Sequence, residues 1–149
     1  MENMNENMNK EHCLQSKALL VLRLTLGSIF FLHGAQKVFG LFGGPGLTNF
    51  VAWTLTLGVP IWLGYLAAFA EFLGGCMLFL GIAAEVGALL TIPVMVGAVL
   101  VVHWPHGYFM QNGGFEYPFN LIFLALAVII GGPGKAALWD PFKKCRQQQ

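Results

Sequence analysis

The sequence predicts an all-α integral membrane protein, an antiparallel four-helix bundle with both termini in the cytoplasm. Three observations lead to this prediction: the composition, four long apolar stretches and the positions of the cations. Of the 149 residues, 56% are hydrophobic and 10% are charged, and the mean hydropathy is +0.66. A soluble domain carries about a quarter charged residues. The net charge of +1 provides no basic surface for nucleic acid, so that class of function is excluded.

Four stretches are long enough to cross the apolar core of a bilayer, which takes about 20 mainly apolar residues. The predicted spans are residues 18–39, 60–82, 85–103 and 117–130, the last extendable to residue 132. A tight turn at Ala83 and Ala84 joins the second and third spans into a hairpin. The two longer connections are uncharged or mixed in character and rich in Gly, Pro and aromatic residues.

The cations flank the bundle at the two ends of the chain. Lys10 and Lys17 precede the first span, and the cations that follow the fourth are Lys135, Lys143, Lys144 and Arg146. Because cytoplasmic flanks carry the excess of Lys and Arg, both ends are predicted to be cytoplasmic. Residues 18–140 then form the membrane domain. Residues 1–17 are predicted to be a disordered polar tail rather than a cleaved signal, and residues 141–149 a polar cytoplasmic tail.

Cysteine chemistry is not indicated. Cys13 and Cys145 are expected on the reducing side of the membrane, and Cys76 lies within a span. No disulfide framework and no CxxC redox pair is therefore predicted.

The ionisable residues within the first two spans share helix faces. At about 100° per residue, one stripe of the first span contains Arg23, Gly27, Phe30, His33, Gly34 and Lys37. The corresponding stripe of the second span contains Gly64, Ala67, Ala68, Glu71, Gly74, Gly75 and Leu78. Small residues allow membrane helices to approach closely, so these faces are predicted to point into the bundle.

Glu71 is the carboxylate deepest within an apolar stretch. A charge that faces lipid costs about 2.5–3.5 kcal/mol, so Glu71 is expected to point inward, with Arg23 as its partner. Three roles stay open at this point: an ion pair that fixes helix register, a carboxylate that carries protons, and a group that hydrogen-bonds a ligand.

Polar residues also converge at the outer ends of three predicted spans. The groups that meet there are His33, Gln36 and Lys37, then His103, Trp104 and His106, then Glu116, Tyr117 and Asn120. An interfacial belt accounts for the aromatic members, but it accounts less well for the histidines, the lysine and the glutamate. A His33–His103 pair of haem or metal ligands is the less favoured alternative, because no haem motif or fixed ligand spacing accompanies it, and no metal site is predicted.

Four blocks of the sequence, taken together, resemble the DoxX family of small four-helix membrane proteins. The blocks are "LRLTLGSIFFLHGAQKVFG" (22–40), "AEFLGGCMLFLG" (70–81), "VVHWPHGYFMQNGGFEYPFNL" (101–121) and "GGPGKAALWD" (131–140). The resemblance implies a bacterial inner-membrane bundle loosely associated with oxidoreductase systems. It also implies that the recurrent polar positions are Arg23, His33, Lys37, Glu71, His103, Gly107, Phe109, Gly113, Gly114, Glu116 and Tyr117. One departure is "AAE" after the second span, where relatives commonly carry Thr-Arg.

The leading hypothesis is a membrane subunit or accessory of a quinone-linked oxidoreductase or redox-stress system. Its candidate catalytic residues are His33, Lys37, Glu71, His103 and Glu116. Its candidate cofactor-binding residues are Arg23, His33, His103, His106, Tyr117 and Asn120. Quinone is the favoured cofactor, with haem less favoured, and no recognisable motif encodes an electron carrier, so partner proteins in a redox complex are expected.

Two alternatives remain from other classes. A transporter of small solutes or protons would use Glu71 and Arg23 and is expected to require a homo-oligomer, since four short helices enclose a path poorly. A non-catalytic scaffold that recruits redox enzymes has little need of inward ionisable groups.

Overall fold

In the computed structural model, residues 2–142 are described, and this part of the chain is helical with no strand. The five α-helices are α1 (Glu2–Phe39), α2 (Gly46–Thr56), α3 (Ile61–Leu80), α4 (Ala84–Gly97) and α5 (Glu116–Gly131). A π-helical segment, Ala98–His103, continues α4. Short 3₁₀ turns lie at Leu41–Gly43, Trp104–His106 and Met110–Asn112. The predicted all-helical fold class is confirmed. Residues 143–149 lie outside the described part, and with them Lys143, Lys144, Cys145 and Arg146.

Three helical stretches within residues 2–142 are long and apolar enough to cross a membrane. They are Lys10–Phe39, Ile61–Leu80 and Ala84–His106. Each overlaps one of the first three predicted spans. The fourth apolar helix, α5, begins and ends within a residue or two of the predicted span but is shorter than the other three.

The first helix differs from the prediction at its start. It begins at Glu2, so the segment expected to be a disordered tail is helical and continuous with the span. Residues 1–17 contain no Gly or Pro, and beside four Asn they include three Glu, three Met and two Lys, which are good helix formers. Helix propagation from the apolar span costs less than independent nucleation, and the polar segment therefore extends α1.

The first long connection contains a helix, α2, that the sequence pattern did not predict. Phe50, Val51 and Thr54 are buried on one side of α2, where it packs against α3. Pro45 precedes this helix and Gly58 follows it. Because these residues are typical of loops, the helix of eleven residues between them was not predicted.

Glycine residues bring α1 and α3 into close contact. Gly27 lies against the backbone of Phe79, Gly34 against Phe72, and Gly75 against Phe31. A methyl group at any of the three glycines would overlap backbone atoms of the facing helix. The predicted small-residue face is confirmed as buried at Gly64, Ala68, Glu71, Gly74, Gly75 and Leu78.

We expect Gly75→Ala to destabilise the protein by about 1–3 kcal/mol, the usual range for overpacking. The added methyl group would lie 2.6 Å from the Phe30 carbonyl carbon, so helix backbone would have to shift to accommodate it. Gly97→Ala is the matched control, because a methyl group there has no atom within 4 Å and alanine favours helix. Thermal unfolding in mild detergent measures both variants. Equal unfolding temperatures would contradict the close α1–α3 contact.

The segment after α5 returns across the end of the α1–α3 pair. Trp139 pairs with the turn between α3 and α4, donating its N–H to Gly81 at 3.1 Å and accepting from Ala83 at 2.9 Å. The Lys135 N–H donates to the Ser16 carbonyl at 3.1 Å. The turn itself passes through left-handed backbone at Gly81, where φ is 69°. The described parts of the two chain ends therefore meet at one end of the molecule.

The outward surface of the helices is apolar. Leu66, Leu73 and Ile130 are 57%, 51% and 82% exposed, whereas Arg23 and Glu71 are almost completely buried. The core between the long helices consists of Leu26, Phe30, Leu78, Ala84, Ala88, Met95, Leu121, Ala125 and Val128. Large apolar side chains outside and charged groups inside suit a helical protein surrounded by lipid.

Candidate functional site

Glu71 lies in the middle of α3 and points inward, as predicted, but its partner differs from the predicted one. Its carboxylate forms an ion pair with the Nζ of Lys37, and the Glu71 side chain is only 3% exposed. Arg23 does not contact Glu71. The predicted Arg23–Glu71 pair was therefore wrong, and a Lys37–Glu71 pair links α1 to α3 instead.

The register of the two helices explains this difference. Gly27 lies beside Phe79 and Gly34 beside Phe72. Residues later in α1 therefore contact residues earlier in α3. Continuing this register places Glu71 near the end of α1, within reach of Lys37. Helical periodicity had placed both cations on the correct face, but it could not decide which of them was level with the carboxylate.

Arg23 instead holds the far end of the bundle together. Its side chain is 1% exposed, and its guanidinium donates only to backbone carbonyls. These acceptors are Pro133 at 2.9 Å, Leu78 at 2.8 Å, Phe79 at 3.2 Å, Ala136 at 3.3 Å and Lys135 at 3.4 Å. The planar guanidinium, with its five N–H donors, matches this group of carbonyls from two chain segments.

Lys37 borders a cavity of about 360 Å³ between α2, α3 and the α4 region. The Nζ of Lys37 also lies 5.2 Å from the centre of the Phe50 ring, a cation–π contact. Most of the wall is apolar and is formed by side chains that include Phe50, Trp53, Leu63, Ala67, Met95 and Val102. The α2 residues Phe50, Trp53 and Thr54 in this wall were not predicted. Their spacing of three or four residues, about one helical turn, is the sequence signal that could have identified them.

His103 lies at the end of the π-helical segment and lines the same cavity. Its Nδ1 is 2.7 Å from the Gly113 carbonyl oxygen. A carbonyl oxygen only accepts, so Nδ1 carries the hydrogen of this bond. Single π-helical turns often occur at functional sites. Lys37 and His103 are thus two of the predicted site residues that the structure brings to one cavity.

Glu116 organises the connection between the α4 region and α5, residues 104–115, and does not line the cavity. Its carboxylate accepts from the Met110 N–H at 3.1 Å, and its own N–H donates to the Tyr108 carbonyl at 2.8 Å. Trp104 stacks on Phe115 at 5.4 Å in the same connection. These contacts fold the connection that carries Gly113, the hydrogen-bond partner of His103.

The remaining predicted residues lie outside the cavity wall. His33, His106, Tyr117 and Asn120 are exposed. At about 100° per residue, His33 lies about 80° from Arg23 around the helix, whereas Phe30 and Gly34 lie within about 20°. His33 is thus at the edge of the inward stripe and shares no site with His103. Within the described residues, no group of three or more His, Cys, Asp or Glu could hold a metal ion.

The fold defines a helical membrane protein with a mainly apolar cavity beside α2, α3 and the α4 region. The DoxX family model matches residues 18–104, which include the cavity. The chain is also similar to a protein of Bacillus subtilis (strain 168) named "Putative oxidoreductase CatD". The two are 32% identical over 123 residues, covering 83% of this chain and 84% of the relative. No solved structure matches. The chain belongs to the DoxX family.

Proposed function

We propose that this chain is a membrane subunit or accessory of a quinone-linked oxidoreductase or redox-stress system, with the quinone ring in the cavity beside Lys37 and His103. The observation that carries this proposal is the character of the cavity. An apolar, aromatic wall is joined by a cation and an imidazole, which suits a flat ring with polar oxygens. The name of the Bacillus relative supports an oxidoreductase context.

The size of the cavity agrees with this ligand class. At about 360 Å³ it falls within the range of about 300–1,000 Å³ that small-molecule sites occupy. Trp53 and Phe50 provide aromatic surface for the ring, and Lys37 provides a hydrogen-bond donor for one of its oxygens. The ion pair with Glu71 holds Lys37 at the edge of the cavity, so Glu71 acts as a positioning residue.

Electrons must be exchanged with a partner, because the sequence shows no flavin, dinucleotide or iron–sulfur motif. A redox protein that docks at the membrane is the partner class that this function requires. The chain provides the lipid-embedded site at which the ring is bound.

The proposed arrangement is four antiparallel spans in the bacterial inner membrane, with α5 as the short fourth span and both termini in the cytoplasm. Contact between Lys135 and Ser16 supports chain ends on the same side. Lys10, Lys17 and Lys135 lie towards that end, as the positive-inside rule requires. Transport is less favoured, because Arg23 and Glu71 are both engaged in contacts within the bundle.

We expect the purified protein to bind an oxidised quinone analogue such as decyl-ubiquinone, and His103→Ala to weaken binding about tenfold, a change equivalent to roughly 1.4 kcal/mol. The variant removes part of the cavity wall and the hydrogen bond that holds this wall to Gly113, so the loss is expected for either oxidation state of the ring. Quenching of tryptophan fluorescence by the quinone measures the affinity, since Trp53 lines the cavity.

His33→Ala is the matched control, since it removes an exposed imidazole outside the cavity wall. Its affinity is expected to equal that of the unmodified protein. Equal weakening in both histidine variants, or no binding at all, would remove the cavity from consideration as the quinone site.

A further inference from the structure

We propose that the cavity binds the reduced, hydroxyl-bearing form of the ring, the quinol, more tightly than the quinone, with Nε2 of His103 accepting a hydrogen bond from a ring hydroxyl. This inference rests on the proposed function and specifies the chemical form of its ligand. It depends on the hydrogen-bonding capacity of the polar groups at the cavity wall.

The tautomer of His103 follows from its partner. The Gly113 carbonyl oxygen can only accept, so the hydrogen of a neutral imidazole resides on Nδ1. Nε2 is then left with a lone pair and no hydrogen. No other residue in the described part of the chain donates to this nitrogen. His103 lines the cavity, and we assign its unpaired Nε2 as the acceptor for a ring hydroxyl.

Thr54 provides a second acceptor. Its hydroxyl, which is buried, donates to the Val51 carbonyl at 2.8 Å, and this bond uses its hydrogen. The Thr54 oxygen, also at the cavity wall, therefore retains only acceptor capacity. Lys37, by contrast, has donors only. Its ammonium already donates to Glu71, which limits what it offers a ligand.

The form of the ligand follows from this inventory. A quinone presents carbonyl oxygens that only accept, so it would face the lone pairs of His103 and Thr54 without forming a bond. A quinol presents two hydroxyl groups, each of which donates and also accepts, and so satisfies both acceptors and Lys37. A ring bound in the cavity would cover these acceptors. Covering an acceptor without pairing it is unfavourable, so the site is expected to discriminate against the oxidised form.

The test compares duroquinol with duroquinone, which share one ring skeleton, by anaerobic titration calorimetry of the full chain in lipid nanodiscs. The titration is run at about pH 8.5, where an imidazole is ordinarily neutral. We expect duroquinol to bind roughly tenfold or more tightly than duroquinone, the equivalent of one unpaired hydrogen bond.

His103→Asn is the informative variant, because its amide nitrogen occupies the place of Nδ1 and preserves the bond to Gly113 while Nε2 is lost. The preference for duroquinol is expected to fall severalfold, with the remainder due to Thr54, and the affinity for duroquinone is expected to be retained. Equal or tighter binding of duroquinone by the unmodified protein would overturn this inference alone. A preference that is unchanged in His103→Asn would overturn the assignment to His103. Failure of both ligands to bind would overturn the proposed function as well.

Discussion

Replacing Arg23 with Met is expected to lower the free energy of unfolding by about 3 kcal/mol or more, because several buried carbonyl oxygens lose their donor at once. Arg23 is 1% exposed and bonds to the end of α3 and to residues 133–136. In a protein of this size, such a loss corresponds to a fall in unfolding temperature of roughly 6–12 °C. Thermal unfolding in mild detergent measures it.

Two further variants define the cause of this loss. Arg23→Lys retains the charge, but it has three donors on a shorter, non-planar group, so it is expected to recover little of the stability. Lys10→Met removes an exposed cation from the same helix and should change the unfolding free energy by no more than about 0.5 kcal/mol. If Arg23→Met were as stable as Lys10→Met, the carbonyl contacts would not hold the bundle together.

The second large effect is expected at the Lys37–Glu71 pair. Removing one partner of a buried ion pair leaves the other charge uncompensated and costs about 3–5 kcal/mol. Lys37 is partly exposed, so its loss is expected at or below the lower end of this range, and Glu71→Gln is the milder change at the carboxylate. The double variant Lys37→Met/Glu71→Gln removes both charges, and its loss should be smaller than the sum of the single losses.

A second mutant cycle distinguishes the two candidate partners of Glu71. Residues without a shared contact contribute additively within about 0.3–0.5 kcal/mol. Arg23→Met combined with Glu71→Gln should therefore be additive, whereas Lys37→Met combined with Glu71→Gln should not. Coupling in the Arg23 cycle and additivity in the Lys37 cycle would contradict the ion pair observed here.

Sequence periodicity predicted faces well and partners poorly. It placed Glu71 on the buried, small-residue face of α3 and placed Lys37 and Arg23 on the inward stripe of α1. The axial position of α1 relative to α3 is set by packing, here at Gly27, Gly34 and Gly75. No pattern within a single helix encodes that position, and the partner of Glu71 was misassigned for this reason.

At the candidate site, too, helix faces were predicted from the sequence whereas contacts between elements were not. His103 was predicted from the convergence of polar residues at one depth, and Lys37 from its helix face. The cavity wall from α2 was missed, because glycine and proline around residues 44–46 and 58–60 indicated a loop. The π-helical segment and the bond from His103 to Gly113 are tertiary features without a local sequence signal. His33 was included because it lies at the edge of the stripe, where exposure depends on neighbouring helices.

The measurement that tests the central claim most directly is the absorption spectrum and organic extract of gently solubilised protein. It is made in parallel on the unmodified chain, His103→Ala and His33→Ala. We expect a quinone-type chromophore in the extracts of the unmodified chain and of His33→Ala, and a much smaller amount from His103→Ala. An unmodified protein that carries no such compound, or equal amounts in all three extracts, would contradict a quinone site in this cavity.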